Sequence, residues 1–334
     1  MTVDTALLQG VRLLEDASIA VPRLTAEVLL AHAIRKERVH LYAHPEQELQ
    51  ELEWLHYGRY LHERLNGKPT QYITGRQEFY GREFRVTPDV LIPRPETEHV
   101  VEAALRIARG AARVLDVGTG SGALAVTLQL ETGAQAWATD ISPAAATVAA
   151  GNARRLGAPV NVVICDLMEA IAAGAMDLIV SNPPYVPIAQ REGLQREVRD
   201  WEPHVALFAG ETGFEIYDRI VADAPRVLGP GGWLIMELGF GSRDYVANLL
   251  GGWREVRIEP DLAGIPRVIA ARKKTTMPDQ ERIDRLVTSQ AADDSAWEAP
   301  IRVKRSKPAE VGQPFRLRTR FPAGPAGRKA GLRP

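Results

Sequence analysis

The segment Asn182-Pro183-Pro184-Tyr185, closing the apolar run Met176–Ser181, carries the most specific chemistry in this chain. Neither proline has an N–H, so the backbone cannot close on itself there and carbonyl oxygens stay free for a guest. The Asn182 side-chain oxygen and the Pro183 carbonyl can each accept one N–H of a planar NH2 group, while Tyr185 offers a flat face to stack on it. A carboxamide or an aromatic amine fits such a corner. Taken alone, the string also fits a plain turn after a buried strand.

A second motif supplies the other half of a reaction. The strand Val114-Leu115-Asp116-Val117 runs into Gly118-Thr119-Gly120-Ser121-Gly122 and then the helical Ala123–Leu128. Glycines let a backbone pass close to a ligand, and the helix start beyond them has free N–H groups for a carboxylate. The spacing is Gly-x-Gly-x-Gly with an acid in front, and it lacks the third glycine of a dinucleotide fingerprint. An acid at the strand end would repel a pyrophosphate and attract the ammonium and sulfonium of S-adenosylmethionine.

Two further strands end in acids. Gln135–Asp140 places Asp140 where a ribose-binding carboxylate follows a glycine turn, and Val160–Cys165 leads to Asp166-Leu167, suited to the adenine amino group and its apolar face. Each acid alone reads equally well as a turn or cap residue. All of them at the carboxyl ends of one parallel sheet point to a cofactor cleft.

On these residues the chain resembles the HemK/PrmC family of protein-(glutamine) methyltransferases that modify peptide chain release factors. The resemblance spans roughly residues 5 to 272. It includes Gln71-Tyr72-Ile73-Thr74-Gly75, Glu78-Phe79-Tyr80 and Leu91-Ile92-Pro93-Arg94-Pro95-Glu96-Thr97-Glu98, the last similar to the release-factor branch in particular. It implies methyl transfer from S-adenosylmethionine to the side-chain amide nitrogen of the glutamine in the Gly-Gly-Gln motif of bacterial class I release factors. Family roles fall on Gly118 to Gly122, Asp140 and Asn182 for the cofactor, and on Asn182 to Tyr185 for the glutamine. Where relatives often carry Trp after the third acid, this chain has Leu167. Asn182 and Pro183 are the expected catalytic pair, orienting the amide nitrogen without a general base. An adenine amino-methyltransferase acting on nucleic acid would use the same two acceptors and is the alternative.

Composition narrows the partners. The 334 residues are 45% hydrophobic, enough for two cores, and no run of about 18 apolar residues or secretory leader is apparent, so a cytoplasmic protein without a membrane partner is expected. Cys165 is the single cysteine, and the seven histidines show no zinc-ligand spacing, so no metal is expected. From Lys273 onward there are 14 basic and 7 acidic residues, leaving 27 basic against 35 acidic before it. An acidic catalytic part disfavours direct DNA binding, which relies on phosphate neutralisation.

These residues must be positioned by a larger frame. Residues 1–70 read as a helical substrate-docking domain, its third helix running from Glu48 to Leu65, and residues 71–93 as a β-hairpin linker. Residues 94–273 read as an α/β methyltransferase domain, a seven-stranded Rossmann-like class I sheet closed by an antiparallel pair. Pro95 suits a first helical turn, with Glu96 and Glu98 as solvated acids or as a pocket wall. Val186 to about Gly213 reads as a long loop serving as lid and substrate shelf, with Glu202 and Pro203 towards the partner. Residues 274–334 read as a basic, disordered tail.

Overall fold

The computed structural model describes residues 1–275. The N-terminal part is helical: α1 (Val3–Asp16), α2 (Pro22–Ala33), α3 (Arg38–Ala43), α4 (Glu51–Leu65) and α5 (Thr70–Thr74). Val3, Ala6, Leu7 and Leu14 bury one stripe of α1 against Leu29 and Leu30 of α2 and Tyr57 and Leu61 of α4, following the 3.6-residue period of the sequence. The third predicted helix starts at Glu51 rather than Glu48, because the Gln50 N–H is taken by the Glu53 carboxylate, which fixes the first turn. The helical region also runs on to Thr74, beyond the expected boundary at 70. Gly75 stops it in a left-handed conformation.

The hairpin is β1 (Arg76–Phe79) and β2 (Arg82–Arg85), with Tyr80 and Gly81 both at positive φ in the turn. The Tyr80 N–H donates to the Glu98 carboxylate at 2.8 Å, so Glu98 ties the hairpin to α6 (Glu98–Ile107). That corrects the reading of Glu98 as a solvated acid.

Seven strands form the main sheet: β3 (Arg113–Val117), β4 (Gln135–Asp140), β5 (Val160–Ile164), β6 (Met176–Ser181), β9 (Leu228–Glu237), β10 (Arg254–Pro260) and β11 (Pro266–Arg272). Their order is β10-β11-β9-β6-β3-β4-β5, and only β11 runs against its neighbours. Parallel strands need crossovers, provided by α7 (Ala123–Thr132), α8 (Pro143–Leu156) and α11 (Glu215–Val227), with α12 (Arg243–Leu249) after β9. Both faces of the sheet are covered, which explains the near-continuous apolar runs of its central strands. Val114, Leu178 and Ile235 face α6 and α7, while Leu115, Ile179 and Leu234 face α11 and α12. Each of the latter three side chains is fully buried and contributes about 1.5–3 kcal/mol by leaving water.

The segment after Tyr185 is not one loop. It holds β7 (Val186–Pro187), a 3-10 turn over Ile188–Gly193, α9 (Arg196–Trp201), α10 (His204–Leu207) and β8 (Phe208–Gly210), with β7 and β8 paired in parallel. Elements this short leave little hydrophobic period to detect. Among the described residues no helix is long and apolar enough to cross a membrane. Of the expected basic tail, residues 276–334 fall outside the described residues.

Candidate active site

The strand order reverses beside β3: the chain builds β4 and β5 on one side and then returns to place β6 on the other. Open α/β sheets bind ligands at the carboxyl strand ends of such a switch point. A cavity lies there, lined by Gly118 and Gly120 after β3, Asp140 and Ile141 after β4, Asp166 and Leu167 after β5, and Asn182 and Pro184 after β6. Val205, Phe208 and Ile216 from the following segment supply an apolar side.

The glycine turn divides its labour. Gly118 and Gly120 have φ of 71° and 55°, and a Cβ on either would meet no protein atom, pointing into open space at the cavity. Thr119, Ser121 and Gly122 build the turn behind that wall. The Thr119 hydroxyl donates to Asp116 at 2.6 Å, and the Ser121 carbonyl accepts from Asn152 at 2.8 Å. Gly122, at φ 84°, brings α7 so near α8 that a Cβ would lie 3.2 Å from the Ala149 Cα.

Asp116 was expected to meet the cofactor's cationic groups. It lies instead beneath the turn, 1% exposed and absent from the cavity wall, accepting from Thr119 and from the Ala125 N–H at 3.1 Å. Burial pushes its pKa up to about 7, against the pull of those hydrogen bonds. Its position is that of a brace joining β3 to the start of α7.

Asp140 accepts from the Gly120 N–H and the Ser142 N–H, both at 2.9 Å, so one carboxylate locks the glycine turn and the start of α8 together. An ionised carboxylate has about four acceptor sites, which leaves capacity for hydroxyls in the cavity. Asp166 pairs with Arg219 of α11 at 2.7 Å while still lining the cavity. Leu167, at φ 45°, adds an apolar surface beside it.

At the end of β6, Asn182 donates through Nδ2 to the Thr97 hydroxyl at 2.9 Å, and Thr97 donates to Glu237 at 2.5 Å. The Asn182 Oδ1 and the Pro183 carbonyl accept no hydrogen bond from the described residues. Pro183 is buried behind the wall, whereas Pro184 reaches it. Tyr185 does not line this cavity. Its ring lies against Gly239, and burial raises its hydroxyl pKa to about 12.

Thr97 and Glu237 were not among the residues singled out as a site. Thr97 belongs to the Arg-Pro-Glu-Thr-Glu string, and Glu237 ends an apolar strand as Asp140 does, so the signal was present but unassigned. Glu202 was expected to face a partner. It is instead buried at 3% exposure and paired with Arg94, because an unpaired carboxylate could not remain there.

Residues 5–75 match the family model of the PrmC N-terminal domain, and residues 100–197 that of the methyltransferase small domain. The release factor glutamine methyltransferase of Koribacter versatilis (strain Ellin345) is 46% identical over 280 residues, covering 83% of this chain and 100% of that protein. The chain belongs to the release factor glutamine methyltransferase family. It is therefore a methyltransferase enzyme. The family member of Nitratidesulfovibrio vulgaris is 41% identical over 274 residues, covering 79% of this chain and 93% of its own. A solved structure of the release factor-specific protein-(glutamine-N5) methyltransferase of Alicyclobacillus acidocaldarius is 33% identical, covering 57% of this chain and 99% of that one at a TM-score of 0.33.

Proposed function

We propose that the protein transfers the methyl group of S-adenosylmethionine to the side-chain amide nitrogen of the glutamine in the Gly-Gly-Gln motif of bacterial class I release factors. The observation that carries this reading is the unspent acceptor Asn182 Oδ1 on the wall of a glycine-walled cavity, followed in the chain by the Pro183 carbonyl, which also accepts no hydrogen bond from the described residues.

The cavity suits the cofactor chemically. Gly118 and Gly120 leave room where any side chain would intrude, Asp140 has acceptor capacity for ribose hydroxyls, and Asp166 with Leu167 offers a polar and an apolar contact for adenine. When bound, S-adenosylmethionine supplies an electrophilic methyl carbon. An amide nitrogen is a weak nucleophile because its lone pair is delocalised, so orientation has to supply much of the rate. Asn182 and Pro183 accept its two hydrogens, aim the nitrogen at the cavity and favour positive charge growing on it as the nitrogen–carbon bond forms and the carbon–sulfur bond breaks. The methylated nitrogen then releases one of those hydrogens as a proton to water. Pro184 and Tyr185 hold that corner rigid, with the Tyr185 face offered to the carboxamide. The proposed substrate is a cytoplasmic protein, so the enzyme is read as cytoplasmic.

Incubation with cofactor labelled in the methyl group, together with a release factor or with DNA, tests the reading. Label should appear on the release factor glutamine and be absent from DNA. Asn182→Ala should lower turnover at least about 100-fold while cofactor affinity stays within a few fold. Label on DNA, or normal turnover by Asn182→Ala, would overturn it.

A further inference from the structure

We propose that Thr97 and Glu237 are positioning residues that decide which end of the Asn182 carboxamide faces the acceptor amide. The inference rests on the function proposed above and concerns a choice that Asn182 cannot make alone. A carboxamide is nearly symmetric in shape, yet one end only accepts hydrogen bonds and the other only donates. Presented the wrong way, Asn182 would offer N–H to a substrate N–H.

Hydrogen-bond polarity settles the choice. A carboxylate can only accept, so ionised Glu237 takes the single hydroxyl proton of Thr97, and their 2.5 Å separation matches a charge-assisted O–H···O⁻ bond. Thr97, its proton spent, can only accept from Asn182, whose Nδ2 lies 2.9 Å away. The Oδ1 end is then turned towards the guest. Thr97 and Glu237 are 5% and 2% exposed, so water does not compete with either bond. The rest of Glu237 is equally held: the Tyr217 hydroxyl donates to its carbonyl at 2.8 Å and accepts from the Gly239 N–H at 3.0 Å.

Protonation of Glu237 would let the carboxyl donate to Thr97, free the Thr97 proton and allow Asn182 to turn over. Burial and the nearby Glu96 raise the Glu237 pKa to about 7, opposed by the Thr97 hydrogen bond and by Arg267 and Arg94. Arg267 is itself paired with Asp261, and Tyr185 and Tyr217 complete the surrounding titratable groups. Activity should therefore fall as pH drops through about 7.

The test measures methylation of a release factor across pH for wild type, Thr97→Val, Thr97→Ser and Glu237→Gln. Thr97→Val should lose about 10- to 100-fold in kcat with little change in KM or cofactor affinity, and should lose the acid limb. Thr97→Ser should restore both, and Glu237→Gln should also lack the limb. Asp116 keeps its surroundings in all these variants, so it cannot produce a limb that vanishes with them. Hydrogen exchange of the Asn182 Nδ2 protons in 15N-asparagine-labelled protein reads the relay without turnover, and protection should disappear in Thr97→Val. A wild-type enzyme inactive on release factors but with that protection intact would sink the function and spare the relay. Thr97→Val with wild-type kcat, or with its acid limb or exchange protection unchanged, would overturn the relay.

Discussion

Arg94 pairs with Glu202 across 108 residues of sequence, joining the segment just before Thr97 to the end of α9. The Glu202 side chain is 1% exposed and that of Arg94 34%. The segment after Tyr185 is thereby fastened to the stretch of chain that carries Thr97, the hydrogen-bond partner of Asn182. Arg94→Ala would leave a buried carboxylate unpaired. It should cost ~2 kcal/mol, less than the ~3–5 of a fully buried pair because water reaches Arg94. Urea denaturation measures the loss, and equal midpoints for variant and wild type would refute the pairing.

Gly120 offers a cleaner perturbation of the cavity. Its φ of 55° strains any side chain, and the added Cβ points into open space. Gly120→Ala should destabilise the fold by about 1–2 kcal/mol and weaken S-adenosylmethionine binding at least about tenfold. Calorimetric titration with the cofactor would expose the error if affinity were unchanged.

Gly239 sets the place of Tyr185. A Cβ at 239 would sit 2.6 Å from the ring, at Cγ rather than at a flexible end, so the ring has to move. Gly239→Ala should cost about 1–3 kcal/mol and raise KM for the release factor, leaving cofactor affinity alone. An unaltered KM would show that Tyr185 does not meet the substrate.

Asp116 predicts a pH dependence of stability. Its folded pKa of about 7 lies above the ordinary carboxylate value of 3.8, so between those values the native state holds a proton that the unfolded chain has lost. Its contribution is full below pH 4, falls as pH rises to about 7 and is level above that, on the order of a few kcal/mol. Asp116→Asn should remove this part of the slope. Parallel stability profiles for the two proteins from pH 4 to 8 would contradict the assignment.

Much of the fold was legible because its signals are local. Gln135–Asp140 and Met176–Ser181 form strands over the expected residues, and the glycine turn sits between strand and helix as its spacing required. Side-chain period and backbone conformation are written within a few residues of each other. The elements between Val186 and Gly210 escaped notice because each is too short to display a period.

What the sequence determined by itself was the chemistry on offer: a diproline corner with two acceptors, a glycine turn and acids closing successive strands. Tertiary structure alone decided how those groups are used. It turned Asp116 under the glycine turn, drew Glu202 inward to Arg94, and brought Thr97 to Asn182 across 85 residues and to Glu237 across 140. A residue's type fixes which hydrogen bonds it can make, but which partner is within 3 Å depends on how distant strands come together, and no local pattern encodes that.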